Sequence, residues 1–396
     1  MFTDATTWSP DGQHMAFSVT YSTSERAGVF VADADGAVVA QIVGLPDSAS
    51  SPTWQPAPSE LDVEPAEILQ GEVAGTLRVG EDPRSVVYGA GSVWVAVSNN
   101  DGTLGGRILR IDPVTNETVA EIAVATIPTW EVGGGAMVVY GDSLWVTGGV
   151  DAPETFDSPG GASDAAVLRI DVTTNEVVDL FTLGGTTGAD LTFLDGALWV
   201  LAFGDESVDH VMEIVRVDET TGEVITRIPL TAGWAHTLVA ADGRIVAFEG
   251  GERAVNVGGH ITSIDPVAGT TTQVEIRSGF GWPVVWRGEV WIASDSGFAR
   301  FDPVSTAVTD GGPQLDLTRF ALCCGSVEAD DRAIWFLGYN GLEGEGPVRL
   351  TAFDPTTDGV TELATLAEGN PVAMAVAPGS VWILNHEGTV TRIDLH

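Results

Sequence analysis

Residues 85–124 read SVVYGAGSVWVAVSNNDGTLGGRILRIDPVTNETVAEIAV, and they hold four short β-rich runs separated by turn residues. β-branched and aromatic residues in such short runs are typical of strands. The Asp112-Pro113 pair suits a type I turn between the third and fourth runs. The stretch therefore predicts a four-stranded antiparallel meander. Its runs are Val86–Tyr88, Val93–Val97, Ile108–Ile111 and Thr118–Val124.

Two markers from this meander recur along the chain. The second run carries Trp94, and this tryptophan slot is occupied seven times at intervals of 44 to 54 residues. The third run ends in hydrophobic-x-Arg-Ile-Asp, and variants of that motif also occur seven times. A period in the forties with four strands per unit predicts a seven-bladed β-propeller. The slots are Trp94, Trp145, Trp199, Val246, Trp291, Trp335 and Trp382, and the motifs end at Asp112, Asp171, Asp218, Asp265, Asp302, Asp354 and Asp394.

The two ends of the repeat region complement each other. The last repeat ends at Arg392–His396, after its third strand, so it lacks an outer strand. Val73–Val79, before the first inner strand, is an additional strand that belongs to no complete repeat. Pairing the two closes the ring and hides sheet edges that would otherwise promote aggregation. The fold predicted for residues 72–396 is therefore all-β: a seven-bladed β-propeller of four-stranded antiparallel blades, with the ring closed by an N-terminal outer strand.

Repeated residues are expected to build the scaffold. Large aromatic side chains on the second strand fill the wedge between neighbouring blades. The Asp of each Arg-Ile-Asp motif is expected to hold the following hairpin turn, and the Arg to pair at the surface.

Residues 1–57 follow another pattern, with TTWSPDGQHMAFSV, GVFVADADGAVVAQIVG and SSPTWQPAP. They resemble one TolB-type (WD40-like) propeller repeat, in which Trp8 and Trp54 take matching positions. One blade cannot bury its own faces. We therefore expect a remnant of a longer propeller, with Met1 not the natural start, or else a stray blade on the main domain. Residues 58–71 are rich in Pro and Glu and predict a linker.

Composition excludes several classes of protein. The net charge is −39, and all 17 basic residues are arginine, so nucleic-acid phosphates would be repelled. No apolar run is long enough to span a membrane, and the first residues lack the features of a signal peptide. Cys323 and Cys324 are adjacent, which excludes a disulfide scaffold and a four-ligand zinc site. Acidity, the lack of lysine and two propeller types in tandem favour an extracellular bacterial protein.

The repeats resemble YVTN-type, quinoprotein-like and streptogramin-lyase-like propellers. The residues that carry this resemblance are VWVAV…RILRIDPVTNETVAEI and LWVTGG…VLRIDVTTNEVVDL. The resemblance spans about residues 72–396 and implies the fold. Such propellers host lyases, lactonases, cofactor enzymes and plain binding modules, so it does not select an activity.

Function in a propeller gathers at one mouth of the central channel, where a loop enters each inner strand. Those loops do not repeat here, and they hold aromatic, basic and acidic side chains. Non-repeating residues at equivalent positions suit a binding mouth, although they could equally plug the channel. The predicted ligand-binding residues are Arg84, Trp130, Glu131, Asp190, Trp234, Trp282, Arg319 and Asn370.

His236 and Glu249 form an alternative, catalytic candidate in the fourth blade. A histidine beside a carboxylate suits general-base chemistry. In the streptogramin-lyase-like family, histidine and glutamate at such positions bind magnesium and abstract a proton. This chain departs from the family because Glu249 stands alone, its tryptophan slot holds Val246, and no second histidine is evident.

The sequence thus favours a non-enzymatic ligand- or protein-binding module, part of a larger exported bacterial protein. Its partner would be a small polar ligand, a glycan or a protein at the central mouth, and we expect a monomer. The alternative is a metal-dependent lyase or lactonase-like enzyme that uses His236 and Glu249. No cofactor is predicted, and a divalent ion (Mg or Ca) enters only as a possibility, chiefly with that alternative.

Overall fold

The computed structural model forms two compact units, Met1–Glu67 and Ile68–His396. Most of the predicted linker, residues 58–71, lies outside the described residues, and its last residue, Gly71, begins a strand. No helix of the described part is long and apolar enough to cross a membrane. The structure describes residues 2–8, 14–20, 27–33, 38–42, 70–99, 105–125, 137–151, 163–185, 187–203, 212–230, 234–250, 259–276, 281–294, 297–310, 321–339, 347–366 and 370–396.

The first unit contains one antiparallel sheet with the strand order β1-β2-β3-β4. Trp8 ends the first of these strands, and Trp54 lies outside the described residues. This single four-stranded meander agrees with the one repeat predicted for residues 1–57. The TolB-type origin of that repeat stays a prediction. The strands are β1 (Phe2–Trp8), β2 (His14–Thr20), β3 (Ala27–Asp33) and β4 (Val38–Ile42).

The second unit is built from seven four-stranded antiparallel sheets, which confirms the predicted propeller. Each sheet is a meander of consecutive strands, except that the last one recruits a strand from the start of the unit. Blade 1 comprises β6 (Pro83–Gly89), β7 (Ser92–Ser98), β8 (Gly106–Ile111) and β9 (Thr118–Val124). Blade 2 comprises β10 (Met137–Tyr140), β11 (Ser143–Asp151), β12 (Ser163–Asp171) and β13 (Glu176–Thr182). Blade 3 comprises β14 (Thr187–Leu194), β15 (Ala197–Phe203), β16 (Met212–Val217) and β17 (Val224–Pro229).

The remaining blades follow the same order. Blade 4 comprises β18 (Trp234–Ala241), β19 (Arg244–Gly250), β20 (His260–Asp265) and β21 (Thr270–Glu275). Blade 5 comprises β22 (Gly281–Trp286), β23 (Glu289–Ser294), β24 (Gly297–Phe301) and β25 (Val308–Asp310). Blade 6 comprises β26 (Ala321–Ala329), β27 (Ile334–Tyr339), β28 (Val348–Asp354) and β29 (Gly359–Leu366). Blade 7 comprises β30 (Pro371–Ala377), β31 (Ser380–Asn385), β32 (Thr389–Leu395) and β5 (Gly71–Arg78).

Strand β5 closes the ring as the outer strand of blade 7. It pairs antiparallel with β32, and Leu77 lies opposite Val390. Gln70 and His396 exchange two backbone hydrogen bonds of 3.0 and 2.9 Å beyond the end of this pair. The inner strands of successive blades contact one another, and β30 contacts β6. The seven inner strands therefore surround one central channel.

The hydrophobic core is divided among the seven interfaces between blades. Each interface holds one cluster of buried apolar side chains. The residue in the tryptophan slot lies in the cluster that its blade shares with the next one. Trp94, for example, packs with Met137 and Leu144 of blade 2, and Trp335 packs with Met374 of blade 7. The wedge role predicted for these residues is confirmed by that packing.

The aspartates of the repeated motif fix the outer hairpin turns. Asp171 Oδ1 accepts backbone hydrogen bonds of 2.8 Å from both Thr173 and Thr174, and Asp218 and Asp302 repeat the arrangement. These bonds favour the ionised carboxylate, so they lower the pKa of Asp171 from its usual value. The role predicted for these aspartates is confirmed.

Candidate functional site

The inner strands differ from one another mainly where they enter the ring. Strands β6, β14, β18 and β30 each carry a register shift within their first residues. A bulge places one unpaired residue on the strand and redirects the side chains around it. The additional residues are Arg84, Ala189, His236 and Val372. The bulge at the start of the inner strand therefore carries a different side chain in each of these four blades.

Asp190 follows the bulge of β14 and turns toward the neighbouring inner strand. Its Oδ1 accepts the amide hydrogen of Leu191, and its Oδ2 accepts that of Leu238 on β18, both at 2.8 Å. Strand β18 is the first strand of its sheet, and its other edge faces the channel. The carboxyl group therefore lies on the inner edges of blades 3 and 4. Burial nevertheless dominates over both hydrogen bonds and raises the pKa of Asp190 to about 7.

Glu328 lies on β26, the inner strand of blade 6. Its register partner is Trp335, the tryptophan slot of that blade. Burial raises the pKa of Glu328 to about 7, and the nearby carboxylate of Asp190 adds to the increase. Blades 3 and 6 are not neighbours in the ring, so this electrostatic effect acts between two blades that share no interface.

Sequence reasoning missed Glu328, although the repeat contains a signal for it. The residues opposite the other tryptophan slots are apolar or uncharged, so a glutamate at this position breaks the pattern. This difference is visible only when one compares, in each blade, the inner-strand residue that pairs with the tryptophan slot of the second strand. The equivalent residues are Val87, Val138, Thr192, Val239, Val284 and Ala375.

Arg84, predicted to bind a ligand carboxylate, already has an acidic partner. Its Nη2 lies 2.5 Å from Oδ2 of Asp82, and only 14% of its side chain is exposed. The pair joins the residue before β6 to the bulge residue of that strand, so the arginine is buried with its charge compensated. A ligand carboxylate at this position would compete with Asp82.

Glu249, the predicted partner of His236, is fully buried within blade 4. Its Oε1 accepts hydrogen bonds from the hydroxyl of Thr262 on β20 and from Nε2 of Gln273 on β21, the latter at 3.2 Å. These contacts direct the carboxylate toward the outer strands of its own sheet. His236 lies one residue past Ala235, the register partner of Glu249, and its side chain is not among those described. The catalytic role of the pair stays a prediction.

The other predicted ligand residues have different locations. Trp282 on β22 is only 8% exposed, so most of its ring packs inside the protein. Asn370 is exposed just before β30, and its carbonyl oxygen accepts the amide hydrogen of His386 at 2.9 Å. Trp234 is the first residue of β18, but its side chain is not described. Trp130, Glu131 and Arg319 lie outside the described residues.

Within the described part of the chain, no three His, Cys, Asp or Glu side chains converge as they would to hold a metal ion. The channel carboxyls Asp190 and Glu328 form a pair without a third acidic member among those residues. Each carboxyl group can accept hydrogen bonds, and the two together can attract a cation when they are ionised.

No family model matches the chain, and no curated protein matches it. Among solved structures, the fold is similar to that of virginiamycin B lyase from Staphylococcus aureus. The two chains are 12% identical with a TM-score of 0.54, and the match covers 83% of this chain and 100% of the lyase. At this level of identity the likeness shows the fold alone. The chain therefore has the seven-bladed propeller fold seen in the streptogramin-lyase-like proteins.

Proposed function

We propose that this chain is a non-enzymatic binding propeller whose ligand is a small polar molecule with a cationic group. The ligand binds in the central channel, between Asp190 and Glu328. One observation carries the proposal: the carboxylate of Asp190 raises the pKa of Glu328, which lies on the inner strand of a non-neighbouring blade, in a ring whose blade interfaces are apolar.

A cation relieves two unfavourable features of this pair. Burial disfavours ionisation of each carboxyl group, and ionised Asp190 further disfavours ionisation of Glu328. An ammonium or guanidinium group placed between them offsets both effects and donates hydrogen bonds to the carboxylate oxygens. The net charge of −39 also attracts cations toward the protein from a distance.

An organic cation fits this pair better than a caged metal ion. Calcium takes six to eight oxygen ligands, and magnesium requires near-octahedral coordination. Two carboxyl groups supply only part of either shell, and one of them already accepts the amide hydrogens of Leu191 and Leu238.

Calorimetric titration with putrescine tests the proposal, with 1,4-butanediol as an uncharged probe of the same length. We expect putrescine to bind near pH 7 and the diol not to bind. Asp190→Asn and Glu328→Gln should each weaken binding at least about tenfold, the cost of losing a charge-assisted contact. Glu387→Gln, a change at an exposed turn residue of blade 7, is the matched control and should have no effect.

Binding should also release protons below pH 7, because the cation favours the ionised form of both carboxyls. Repeating the titration in two buffers of different ionisation enthalpy measures that release. Equal binding of the diol, or binding that both channel variants leave unchanged, would contradict the proposal. Titrations with magnesium and calcium chloride show whether the pair prefers an inorganic ion.

The enzymatic alternative rests on His236 and Glu249. The hydrogen bonds of Glu249 to Thr262 and Gln273 support a structural role for this carboxylate. Incubation with virginiamycin B and magnesium is the direct check, and we expect no turnover. Turnover that disappears in His236→Ala would replace the binding proposal with a lyase activity.

A further inference from the structure

The arginines of the repeated motif differ from blade to blade in the groups that their guanidinium contacts. In five blades the guanidinium lies over the ring in the tryptophan slot, with centroid distances from 4.9 Å for Arg110 to 5.9 Å for Arg392. In blades 1 and 7 the same guanidinium also reaches the outer turn of the next blade. Arg110 Nη1 donates to the carbonyl of Val172 at 2.7 Å and to Oδ1 of Asn175 at 3.0 Å. Arg392 repeats this with Pro113 and Asn116.

Arg300 of blade 5 keeps the stacking but not the link to the next blade. It lies 5.4 Å from the centroid of Trp291, while its Nη1 donates to Oε1 of Glu289 at 3.1 Å. The turn of blade 6 offers Asp358 where blades 1 and 2 offer an asparagine, yet no hydrogen bond joins Asp358 to Arg300 in the described structure. In the described part of the chain, Arg300 therefore lacks the acceptors that Arg110 and Arg392 find in the next blade.

A cavity of about 370 Å³ lies at this interface, on the face formed by the hairpin turns. Its lining residues come from blades 5 and 6, and neither Asp190 nor Glu328 is among them. Its lining combines cationic, aromatic and aliphatic surface. The residues around it are Trp286, Arg287, Glu289, Trp291, Arg300, Pro355 and Thr356.

One wall of this cavity is already held in place. Arg287 lies 4.5 Å from the centroid of Trp286, and its Nε and Nη2 donate to the carbonyl oxygen of Asp331 at 3.0 and 2.7 Å. The opposite cation, Arg300, is more adaptable, because about half of its side chain and of its partner Glu289 is exposed. An exposed ion pair of this kind contributes little and is readily exchanged for another acceptor.

We propose that this cavity binds a small carboxylate with a flat apolar body. Its two oxygens would take the place that a carbonyl and an asparagine amide oxygen take beside the equivalent arginines of blades 1 and 7. A carboxylate matches the planar guanidinium of Arg300 in a bidentate manner. The body of the ligand would lie against Trp286 and Pro355. This site goes beyond the channel proposal, since it lies elsewhere and takes a ligand of opposite charge.

Benzoate is the probe, and benzyl alcohol is its uncharged counterpart. Titration followed by tryptophan fluorescence and by calorimetry should show benzoate binding and little binding of the alcohol. Arg300→Gln should weaken benzoate at least about tenfold. Arg216→Gln is the matched control, because Arg216 stacks on Trp199 at 5.5 Å in the same strand position but does not line the cavity.

Glu289→Gln should change the affinity for benzoate in the opposite direction. It removes the acceptor that competes for Arg300, so benzoate should bind several-fold more tightly. The proposal is overturned if benzoate does not bind at 10 mM (about the weakest affinity such a cleft should give), if Arg300→Gln leaves its affinity unchanged, or if Arg216→Gln weakens it equally. Circular dichroism of each variant verifies that the propeller is folded.

Discussion

The outer turns and the central channel use the same kind of side chain in opposite ways. At the turns, Asp171 and its equivalents accept two backbone hydrogen bonds in exposed positions, and their pKa is lowered. In the channel, Asp190 also accepts two backbone hydrogen bonds, yet its pKa is raised to about 7 because burial dominates. The difference shows that environment, and not the number of hydrogen bonds, separates scaffold carboxylates from candidate site carboxyls.

The largest expected effect is on the pH dependence of stability. Asp190 and Glu328 have a folded pKa of about 7, above their usual values of 3.8 and 4.5. The folded state therefore binds more protons between those values, and stability falls as pH rises toward 7. The loss between pH 5 and 8 is about 2 kcal/mol for each carboxyl. The double variant Asp190→Asn/Glu328→Gln should lose much of this slope in urea unfolding.

An unchanged slope in that double variant would contradict the assignment of raised pKa values to the channel. The single variant Glu387→Gln serves as the control and should keep the slope of the original protein.

Glu249 shares features with both groups of carboxylates. It is fully buried, but its hydrogen-bond partners belong to its own blade, blade 4. Replacing it with leucine leaves the hydroxyl of Thr262 and the amide of Gln273 without their acceptor, at a cost of about 1 to 3 kcal/mol. Glu249→Gln should cost less, because the amide oxygen still accepts. Urea unfolding of both variants measures the difference. Equal stability of Glu249→Leu and the original protein would show that these contacts contribute nothing.

The smallest expected effect comes from the turns. Asp171→Ala removes two bonds to backbone amides that water can also satisfy, so the loss of stability should be smaller than in either case above. The pH dependence of stability that Asp171 contributes has the opposite sign to that of Asp190 and Glu328. A lowered pKa gives stability that is present above the usual value of 3.8 and lost as pH falls through the lowered value. Thermal unfolding at pH 3 and pH 7 detects this change, and a larger effect at pH 3 would contradict it.

Much of the scaffold was predictable because it repeats. The tryptophan slots and the Arg-Ile-Asp motifs recur, and each copy makes the same local contacts, so seven blades and the closing strand β5 follow from the sequence. The site was less predictable. Asp190 was identified from its loop, but Glu328 was not, because their proximity depends on ring closure that brings blades 3 and 6 face to face.

The cavity at blades 5 and 6 shows the same limitation. Arg300 and Trp291 follow the repeat and look like scaffold in the sequence. Only the hydrogen bond to Glu289, in place of a bond to the next blade, distinguishes them from Arg110 and Trp94. The proposed carboxylate site would give this copy of the motif a role that the other copies lack.

Carbon-detected NMR titration of the carboxyl groups measures the effect of the Asp190 charge on Glu328. Glu328 should titrate near pH 7 in the original protein and at lower pH in Asp190→Asn, which removes the neighbouring negative charge. Titration of Glu328 near its usual pKa of 4.5 in both proteins would show that neither burial nor Asp190 raises the pKa of Glu328.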